Sequence, residues 1–465
     1  MSAVASAIAT RLAEIVGDGN LFANPADLAG YAIGALRPRV AIRPGSAEET
    51  ADVLKFAAAE KLGSVACGAR TKLDLGLAPR KYDLAVDMTR LNHVSAYDPD
   101  DLTLSVEPGL ALHQLSATLA ERAQFLPLEV PFFRRATVGG TIASGMDSPL
   151  RQLYGTARDF ILGMEFVTAD GTLAKSGGRV VKNVTGYDLH KLMIGSFGTL
   201  GVITKINFRT FPLPRNVRAF IASFDSAERA LDLRARVSRS PLKPLTMEVF
   251  SPGIADLFCS DASRRIDPAA FPTNLLASDA WAFTCGFAGT EKVLERYEAE
   301  LRAMGAQVGG ANISVLQGDD VRAAFACKRE FVPIALESSP ATTIAKAAVL
   351  PSRIQEILGV IELAATDESL RWAAMARGVG VIYVALLPDA LTEGARRRLA
   401  RATGRIQSAC EKAGGHATIP WCPFEWKSEL KVWGSERADW AQMRKVKSVF
   451  DPHGILGVGR FVGGL

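Results

Sequence analysis

Three glycine-rich segments in the first 201 residues constrain the fold of this chain more than any other feature. They span residues 67–72, 137–145 and 195–201, and the first directly follows a short apolar stretch. Consecutive small residues let a backbone turn sharply and bring several N–H groups close to one anion, although they also serve ordinary tight turns. Because Arg70 and Lys72 add positive charge to the first segment, we predict that it binds a pyrophosphate.

Two familiar nucleotide-binding motifs do not fit these glycines. Gly195, Gly198 and Gly201 are evenly spaced, but the residues after Gly201 alternate as a β-strand does. A Rossmann loop opens a helix instead, so that reading is excluded. The chain contains no G-x-x-x-x-G-K-[ST], H-E-x-x-H or G-x-S-x-G motif, which argues against a P-loop protein, a zinc protease and an α/β-hydrolase.

The composition narrows the class of protein. The 465 residues are 48% hydrophobic and 22% charged, which is typical of a globular chain with two or three cores. A formal net charge of +5 is too small over this length to indicate nucleic-acid binding, whereas a small anionic ligand stays open. The longest apolar run, 379–387, is much shorter than the ~20 residues of a membrane span. We therefore expect a cytoplasmic protein.

The cysteines do not indicate a metal site. None of the six belongs to a C-x-x-C pair, which is the usual local spacing of zinc sites and iron–sulfur clusters. We expect reduced and mostly buried thiols, and no bound metal.

The order of predicted elements divides the chain into four parts. Residues 1–35 form a helical lead-in. In residues 36–215 strands and helices alternate at first and sheet then dominates, up to the prolines that end this part. Residues 216–410 interleave strands with charged helices, which predicts an α+β domain. Residues 411–465 form a tail of unusually specific sequence, which we expect to pack back onto the first domain.

Short motifs of the first domain follow one another in a characteristic order. They are Arg43-Pro44-Gly45-Ser46, Gly68 to Lys72, Asp87-Met88-Thr89-Arg90-Leu91, Val106-Glu107-Pro108-Gly109, Thr137 to Gly145, Tyr154-Gly155-x-x-Arg158-Asp159 and Gly198 to Thr204. This series resembles the FAD-linked oxidases of the vanillyl-alcohol oxidase type. The resemblance implies a PCMH-type FAD-binding domain of two subdomains, followed by an α+β, ferredoxin-like cap domain.

The tail carries a second set of motifs. They are Gly415-His416-Ala417-Thr418, Lys427, Val432-Trp433-Gly434, Phe450 to Leu456 and Gly459 to Gly464. These resemble the FAD-binding E subunit of bacterial glycolate oxidase, a family that works with a second flavoprotein subunit and an iron–sulfur subunit. Two features depart from that family: the chain is longer, and Val458 replaces the usual proline. The resemblance implies contact with the inner membrane only through such partners.

The resemblance also implies which residues hold FAD. The first group cradles the pyrophosphate: Ala66, Cys67, Gly68, Ala69, Arg70, Thr71 and Lys72. The second group lines the flavin: Thr137, Val138, Gly139, Gly140, Thr141, Ala143, Ser144 and Gly145. The third group closes over the cofactor: Gly198, Thr199, Gly201, Val202 and Ile203. Val138, Ile142 and Ile203 are expected to form an apolar slot. Since family members with covalent flavin carry a histidine in the first loop, which is missing here, we predict non-covalent FAD.

Oxidation of a 2-hydroxy acid needs a cation for the carboxylate and a base for the hydroxyl proton. Arg329 and Lys346 are candidates for the cation and His416 for the base, although each could instead make only a structural polar contact. We expect residues 182–188 to lie close to the flavin. Relatives that act alone carry metal-binding H-x-G-D-G-N-x-H and G-E-H-G segments, whereas the region around residues 376–380 here lacks those ligands.

The sequence thus predicts an FAD-dependent dehydrogenase subunit. It would oxidise glycolate or a related 2-hydroxy acid by hydride transfer to flavin N5 and pass electrons to an iron–sulfur partner. Two alternatives stay open: a non-catalytic flavin-binding or assembly subunit of the same complex, and a stand-alone oxidase of another alcohol.

Overall fold

A computed structural model of the chain describes residues 3–179, 186–266 and 275–465. Its helices are α1 (Ala3–Val16), α2 (Pro25–Ala29), α3 (Ala47–Ala59), α4 (Leu112–Ala120), α5 (Val138–Ser144), α6 (Arg151–Tyr154), α7 (Ala157–Phe160), α8 (His190–Met193), α9 (Ala227–Arg239), α10 (Gly253–Cys259), α11 (Asp261–Ile266), α12 (Glu291–Gln307), α13 (Gly318–Arg329), α14 (Phe331–Ser338), α15 (Ile354–Asp367), α16 (Glu393–Lys412) and α17 (Asp439–Phe450). None of the helices in these described ranges is long and apolar enough to cross a membrane.

In the described residues, four sheets are built from the following strands. They are β1 (Leu21–Phe22), β2 (Val40–Ile42), β3 (Ser64–Cys67), β4 (Leu84–Asp87), β5 (Val94–Asp98), β6 (Thr103–Val106), β7 (Gln124–Phe125), β8 (Ile161–Val167), β9 (Leu173–Gly177), β10 (Val202–Arg209), β11 (Phe211–Pro212), β12 (Val217–Phe224), β13 (Thr246–Phe250), β14 (Trp281–Ala288), β15 (Ala311–Leu316), β16 (Thr343–Ala348), β17 (Arg371–Arg377), β18 (Val381–Leu387) and β19 (His416–Trp421). The smallest sheet is the pair β11–β7.

The first sheet has the order β1-β2-β4-β3, with β2 and β3 both parallel to β4. The helix α3 connects β2 to β3, as the predicted alternation requires. Ser46 caps α3 by accepting a hydrogen bond from the Glu49 N–H at 3.0 Å. In a capping box the Glu49 carboxylate would accept from the Ser46 N–H, but here it accepts from the Gly45 N–H at 2.7 Å.

The second sheet is antiparallel, in the order β5-β6-β10-β8-β9. Its buried face carries Val106, Phe166, Ile206 and Phe208, which form one core with α4 and α5. The strand β10 begins directly after Gly201, so the three evenly spaced glycines do not open a helix. This confirms that they are not a Rossmann motif.

The large sheet consists of two copies of one topology. Its order is β15-β12-β14-β13-β17-β18-β16-β19, and all neighbours are antiparallel. Each half follows the β-α-β-β-α-β path of a ferredoxin-like unit, and the halves join where β13 pairs with β17. The sequence shows no internal repeat, because this topology requires only buried strands and amphipathic helices and not shared residues.

Both faces of the large sheet are buried. The helices α9, α12, α15 and α16 cover one face. The opposite face packs on α10, α13 and α14 and on the side chains of Phe132, Met146 and Phe197 from the first half of the chain. This opposite face is called the inner face below. It brings the second domain against the loops that precede β10 and follow α5.

The tail packs back onto the first sheet. Residues 455–457 run beside β3, where the Ser64 N–H donates to the Ile455 carbonyl at 2.6 Å. The Gly457 N–H in turn donates to the Ser64 carbonyl at 2.8 Å. The tail therefore extends the sheet at the strand that leads into the first glycine-rich segment.

Candidate functional site

Two adjoining cavities lie between the end of β3, the helix α5 and the loop before β10. The space within them, counted together with the solvent at their open mouths, is about 490 and 420 Å³. Both are lined by Ala66, Cys67, Gly68, Thr137, Gly140, Ala143 and Phe197. Because they share these walls, they form one cleft.

The first cavity contains a row of unpaired backbone donors. Among the hydrogen bonds of the described residues, none is donated by the N–H groups of residues 68–72. Arg70 has a φ of 62°, a left-handed conformation that is costly for a side chain other than glycine. Successive N–H groups around a left-handed residue form an anion-binding concavity. This geometry suits the predicted pyrophosphate.

The wall opposite this row is the helix α5, which contains most of the second glycine-rich segment. Thr137 caps α5 through its Oγ1, which accepts from the Gly140 N–H at 3.3 Å. A Cβ on Gly68 would overlap that same Oγ1, so only glycine lets the two walls approach. The helix directs Val138 and Ile142 into the core of the second sheet. These two side chains, which were predicted to form an apolar slot, line neither cavity.

The second cavity is mainly apolar. Its additional walls are Met88, Pro108, Gly139, Gly198, Gly201, Val202 and Ile203. A Cβ on Gly139 would overlap the Pro108 ring, which again allows close packing of two backbones. A flat aromatic group fits such a slot better than a charged one.

Most of the predicted cofactor residues line these cavities. Four line neither of them: Val138, Thr141, Gly145 and Thr199. Five lining residues were not predicted: Leu73, Met88, Pro108, Phe197 and Arg460. Met88, Pro108 and Arg460 belong to motifs noted in the sequence, and Phe197 belongs to the third glycine-rich segment. Position in these motifs was the signal that could have identified them.

The two cations of the first glycine-rich segment, Arg70 and Lys72, differ in their contacts. The Arg70 guanidinium pairs with Asp87 at 3.2 Å and lies over the Tyr31 ring, 4.5 Å from its centroid. Lys72 lies 5.9 Å from the Phe132 ring centroid and has no such carboxylate partner among the described residues. Burial lowers the pKa of Lys72 to about 8, although the carboxylate of Glu330 opposes this change. Lys72 is thus the cation available to a ligand in the first cavity.

Arg460 adds a second cation from the tail. Its side chain is buried, and Nη2 donates to the carbonyls of Leu73 and Leu75. Its Nε has no hydrogen-bond partner in the described part of the chain. Free amides, Lys72 and this unused donor suit an anionic diphosphate, and the apolar slot suits a ring. The cleft therefore fits FAD.

Cys67 lies at the junction of the two cavities. Burial raises the pKa of its thiol well above the ordinary value, and the nearby Asp87 carboxylate adds to this shift. The thiol is therefore protonated near neutral pH, which makes it a weak nucleophile.

Arg329 connects the two domains. Its guanidinium pairs with Glu129 at 2.9 Å and with Glu330 at 3.0 Å. Glu330 also accepts the N–H groups of Phe132 and Phe133 at 2.7 and 3.1 Å. Arg329 thus holds the loop that bears Phe132, and two protein carboxylates already share its charge.

Lys346 and His416 lie on neighbouring strands of the large sheet. Lys346 pairs with Thr418 and Ala348 with His416 in the register of β16 and β19. The two side chains therefore share one face of the sheet, on diagonal positions. On its other side Lys346 pairs with Tyr383, which belongs to the inner face, and its Nζ lies 5.5 Å from that ring centroid. No ion pair joins Lys346 to a carboxylate in the described residues.

Arg377 is a buried cation that lies on the same sheet face as Lys346. It was not among the site residues predicted from the sequence. It pairs with Asp147, which follows the helix α5, and both side chains are buried. Its guanidinium lies 4.9 Å from the Tyr383 ring centroid. The Arg377 guanidinium, together with Lys346 and Arg151, holds the pKa of Asp147 below its ordinary value against the opposing effect of burial.

Two further predictions concern the segment 182–188 and the absence of a bound metal. Of the segment 182–188 that was expected near the flavin, residues 182–185 lie outside the described residues. Within the described ranges, no group of three or more His, Cys, Asp or Glu side chains is arranged to hold a metal ion.

A diphosphate-binding nest, an apolar slot beside it and a neighbouring sheet face that carries Lys346 and Arg377 are typical of a flavin-binding oxidoreductase. The family model of the FAD binding domain matches residues 38–177. The model of the FAD linked oxidases, C-terminal domain, matches residues 213–460, which is more than half of the chain. The chain therefore belongs to the FAD-linked oxidases, and FAD is its cofactor.

Two relatives show how similar this chain is to individual proteins. The glycolate oxidase subunit GlcD of Bacillus subtilis (strain 168) is 23% identical over 427 residues, which cover 91% of this chain and 88% of that protein. The glycolate oxidase subunit GlcE of Escherichia coli (strain K12) is 43% identical over 120 residues, which cover 26% of this chain and 34% of that subunit. The resemblance to the E subunit is thus strong over a limited part of the chain.

A solved structure shares the whole architecture. The crystal structure of p-cresol methylhydroxylase with substrate bound has a TM-score of 0.77 and 16% sequence identity, covering 99% of this chain and 97% of that one. At this identity the likeness concerns the fold alone. It confirms the predicted PCMH-type FAD-binding domain followed by an α+β cap.

Proposed function

We propose that this chain is an FAD-dependent dehydrogenase subunit that oxidises glycolate or a related 2-hydroxy acid. Bound FAD supplies the acceptor for the substrate hydride, at flavin N5. We further propose that the FAD is held without a covalent bond and that the electrons pass to an iron–sulfur partner. The sequence similarity to a GlcD subunit over most of both chains supports this class of substrate.

One observation carries the proposal: within the described ranges, the buried charges on the inner face of the cap sheet pair with one another, as Lys328 does with Glu248, but Lys346 does not. Arg377 is neutralised by Asp147, whereas Lys346 has no ion-pair partner in the described residues. Phe197 packs against the same core cluster as Tyr383 and also lines both FAD cavities. A substrate carboxylate beside Lys346 would supply the missing negative charge next to the cofactor.

His416 has the properties needed for the proposed base. Partial burial lowers its pKa, and the charges of Arg437 and Lys346 lower it further. The imidazole is therefore neutral near pH 7 and can accept the hydroxyl proton. Its position on the face of Lys346 would allow one substrate to contact both side chains.

The experiment is anaerobic mixing of the purified, FAD-loaded chain with glycolate or D-lactate. Bleaching of the flavin absorbance by the chain alone supports the proposal, and ethylene glycol, which lacks the carboxylate, should not bleach it. K346M should raise the substrate concentration needed for half-maximal bleaching and leave the FAD content unchanged. Equal bleaching by both compounds would refute the role of the carboxylate.

A second candidate is a flavin-binding assembly subunit whose sister chain performs the oxidation. It is favoured by the 43% identity to a GlcE subunit, which exceeds the identity to GlcD over a shorter stretch. Bleaching that occurs only after the sister subunit is added would support this role. Rapid reoxidation by air without a partner would instead indicate a stand-alone oxidase.

A further inference from the structure

The carbonyls that follow the pyrophosphate segment are satisfied from the tail and not by neighbouring backbone N–H groups. The carbonyls of residues 73–76 receive no backbone N–H in the described structure. Arg460 donates to the first and third of them. Lys427 donates to the second and to the fourth, the latter at 2.8 Å. Two side chains of the tail thus satisfy four consecutive carbonyls.

A third cation of the tail fixes the loop on the other side of the cleft. The Lys447 ammonium donates to the carbonyl of Thr199 at 2.7 Å and to that of Leu456 at 2.7 Å. It also pairs with Asp451, whose carboxylate accepts the N–H groups of residues 455 and 456. Thr199 lies between Gly198 and Gly201, which line the second cavity.

These lysines are unusual in their depth. Lys427 and Lys447 are 4% and 8% exposed. A buried ammonium is tolerated only where its N–H donors find acceptors, because an unpaired buried charge is strongly unfavourable. Here the acceptors are mainly backbone carbonyls. Burial accordingly lowers the pKa of both lysines.

The aromatic side chains of the tail complete this contact. Phe197, which lines both cavities, packs against Trp433 and Phe461 with ring centroids 5.3 Å apart in each case. Trp433 and Phe461 are themselves 5.2 Å apart. The tail therefore contacts the wall of each cavity through a charged and an aromatic group.

We infer that Lys427 and Lys447 are positioning residues for FAD binding, because they hold the backbone of the pyrophosphate segment and of the loop before β10 in their binding geometry. The inference rests on FAD filling the two cavities and does not depend on which substrate is oxidised. Coupling of this kind is reciprocal, so bound FAD must also stabilise the docked tail.

The test uses K427M and K447M, which remove the donors and keep similar side-chain volume. The matched controls are K431M in the same segment and K445M in the same helix, since Lys431 and Lys445 are exposed. The FAD dissociation constant is measured by flavin fluorescence, and backbone amide exchange by mass spectrometry. Each variant is compared with the wild-type chain, with and without FAD.

We expect K427M and K447M to weaken FAD binding about tenfold or more, on the scale of one lost charge-assisted hydrogen bond, with faster exchange at residues 68–77 in K427M. The control variants should change the FAD dissociation constant less than about twofold. FAD should slow exchange at residues 455–461 of the wild type. A purely structural role would lower the stability of the apoprotein and leave the affinity of the folded protein unchanged.

Unchanged affinity in both variants, or equal losses in the controls, would overturn the inference. So would exchange at residues 455–461 that FAD does not alter, and this wild-type measurement decides the matter where a variant fails to fold. G68A and K72M distinguish the assumption that FAD fills the two cavities from the inference that the tail positions their walls. If they also leave FAD affinity unchanged, the cavities are not the FAD site; if they weaken it and K427M does not, only the role of the tail is wrong.

Discussion

The charge of Lys72 makes FAD affinity depend on pH in a range where the protein is easily handled. Without ligand, burial lowers the pKa of Lys72 to about 8. The anionic phosphates favour the protonated form, so binding above that pH must take up a proton. The affinity is therefore expected to be nearly constant below pH 7 and to fall as the pH rises through about 8.

The size of the effect follows from this value. If only the ammonium form binds, the apparent dissociation constant rises about tenfold between pH 7 and pH 9 for a pKa of about 8. Removal of the charge in K72M costs one charge-assisted contact, roughly 1.5–3 kcal/mol, or on the order of 10- to 150-fold in affinity at pH 7.

Titration of the apoprotein with FAD at several pH values provides the assay. K72M should bind weakly with little pH dependence in this range, whereas K72R should bind tightly up to pH 9, because a guanidinium stays protonated. A wild-type affinity that varies less than about twofold from pH 7 to pH 9 would refute the reasoning. So would a K72M variant that keeps the wild-type slope.

Three further outcomes are expected. G68A should lower the unfolding free energy by about 1–3 kcal/mol and weaken FAD binding, because its Cβ overlaps Thr137. The control G404A, at an open helix position, should stabilise the protein by up to about 1 kcal/mol. Chemical denaturation measures the change in stability, and FAD titration measures the change in affinity. R377M should lower the unfolding free energy by about 1–3 kcal/mol, because the buried Asp147 loses one of its two arginine partners and keeps Arg151. D147L in the same chain should recover part of this loss, and chemical denaturation measures both. Acid precipitation of the holoprotein should leave all FAD in the supernatant, and flavin retained in the pellet would disprove a non-covalent link.

Local patterns were sufficient to predict the fold of the first half of the molecule and its cofactor. The segment 67–72 follows a buried strand and contains its own turn residues and charges, so its role could be inferred from neighbours in sequence. Residues 137–145 contain no pattern that indicated a helix, yet they form α5 because Thr137 caps it and small residues continue it. Glycines permit both a loop and a helix when tertiary packing decides, as it does here where Gly139 meets Pro108.

The charges on the inner face of the large sheet could not be predicted in the same way, because they come from strands that are distant in sequence. Lys346, Tyr383 and His416 share one sheet face only through the pairing of β16 with β18 and β19. A polar residue in an apolar strand gives no sign of which face it occupies until the register is known. The pairing of Arg377 with Asp147 spans two domains, so each residue alone resembled an ordinary charge.

The same argument explains why the tail matters more than its sequence position suggests. Carbonyls that lack backbone partners must be satisfied from elsewhere, and a strand or helix would have satisfied them locally at the cost of an anion-binding geometry. The chain keeps its amides free at 68–72 and leaves the carbonyls at 73–76 to Lys427 and Arg460. A binding loop built in this way is complete only when the last forty residues are docked, and it follows that cofactor binding and docking of the tail are coupled steps.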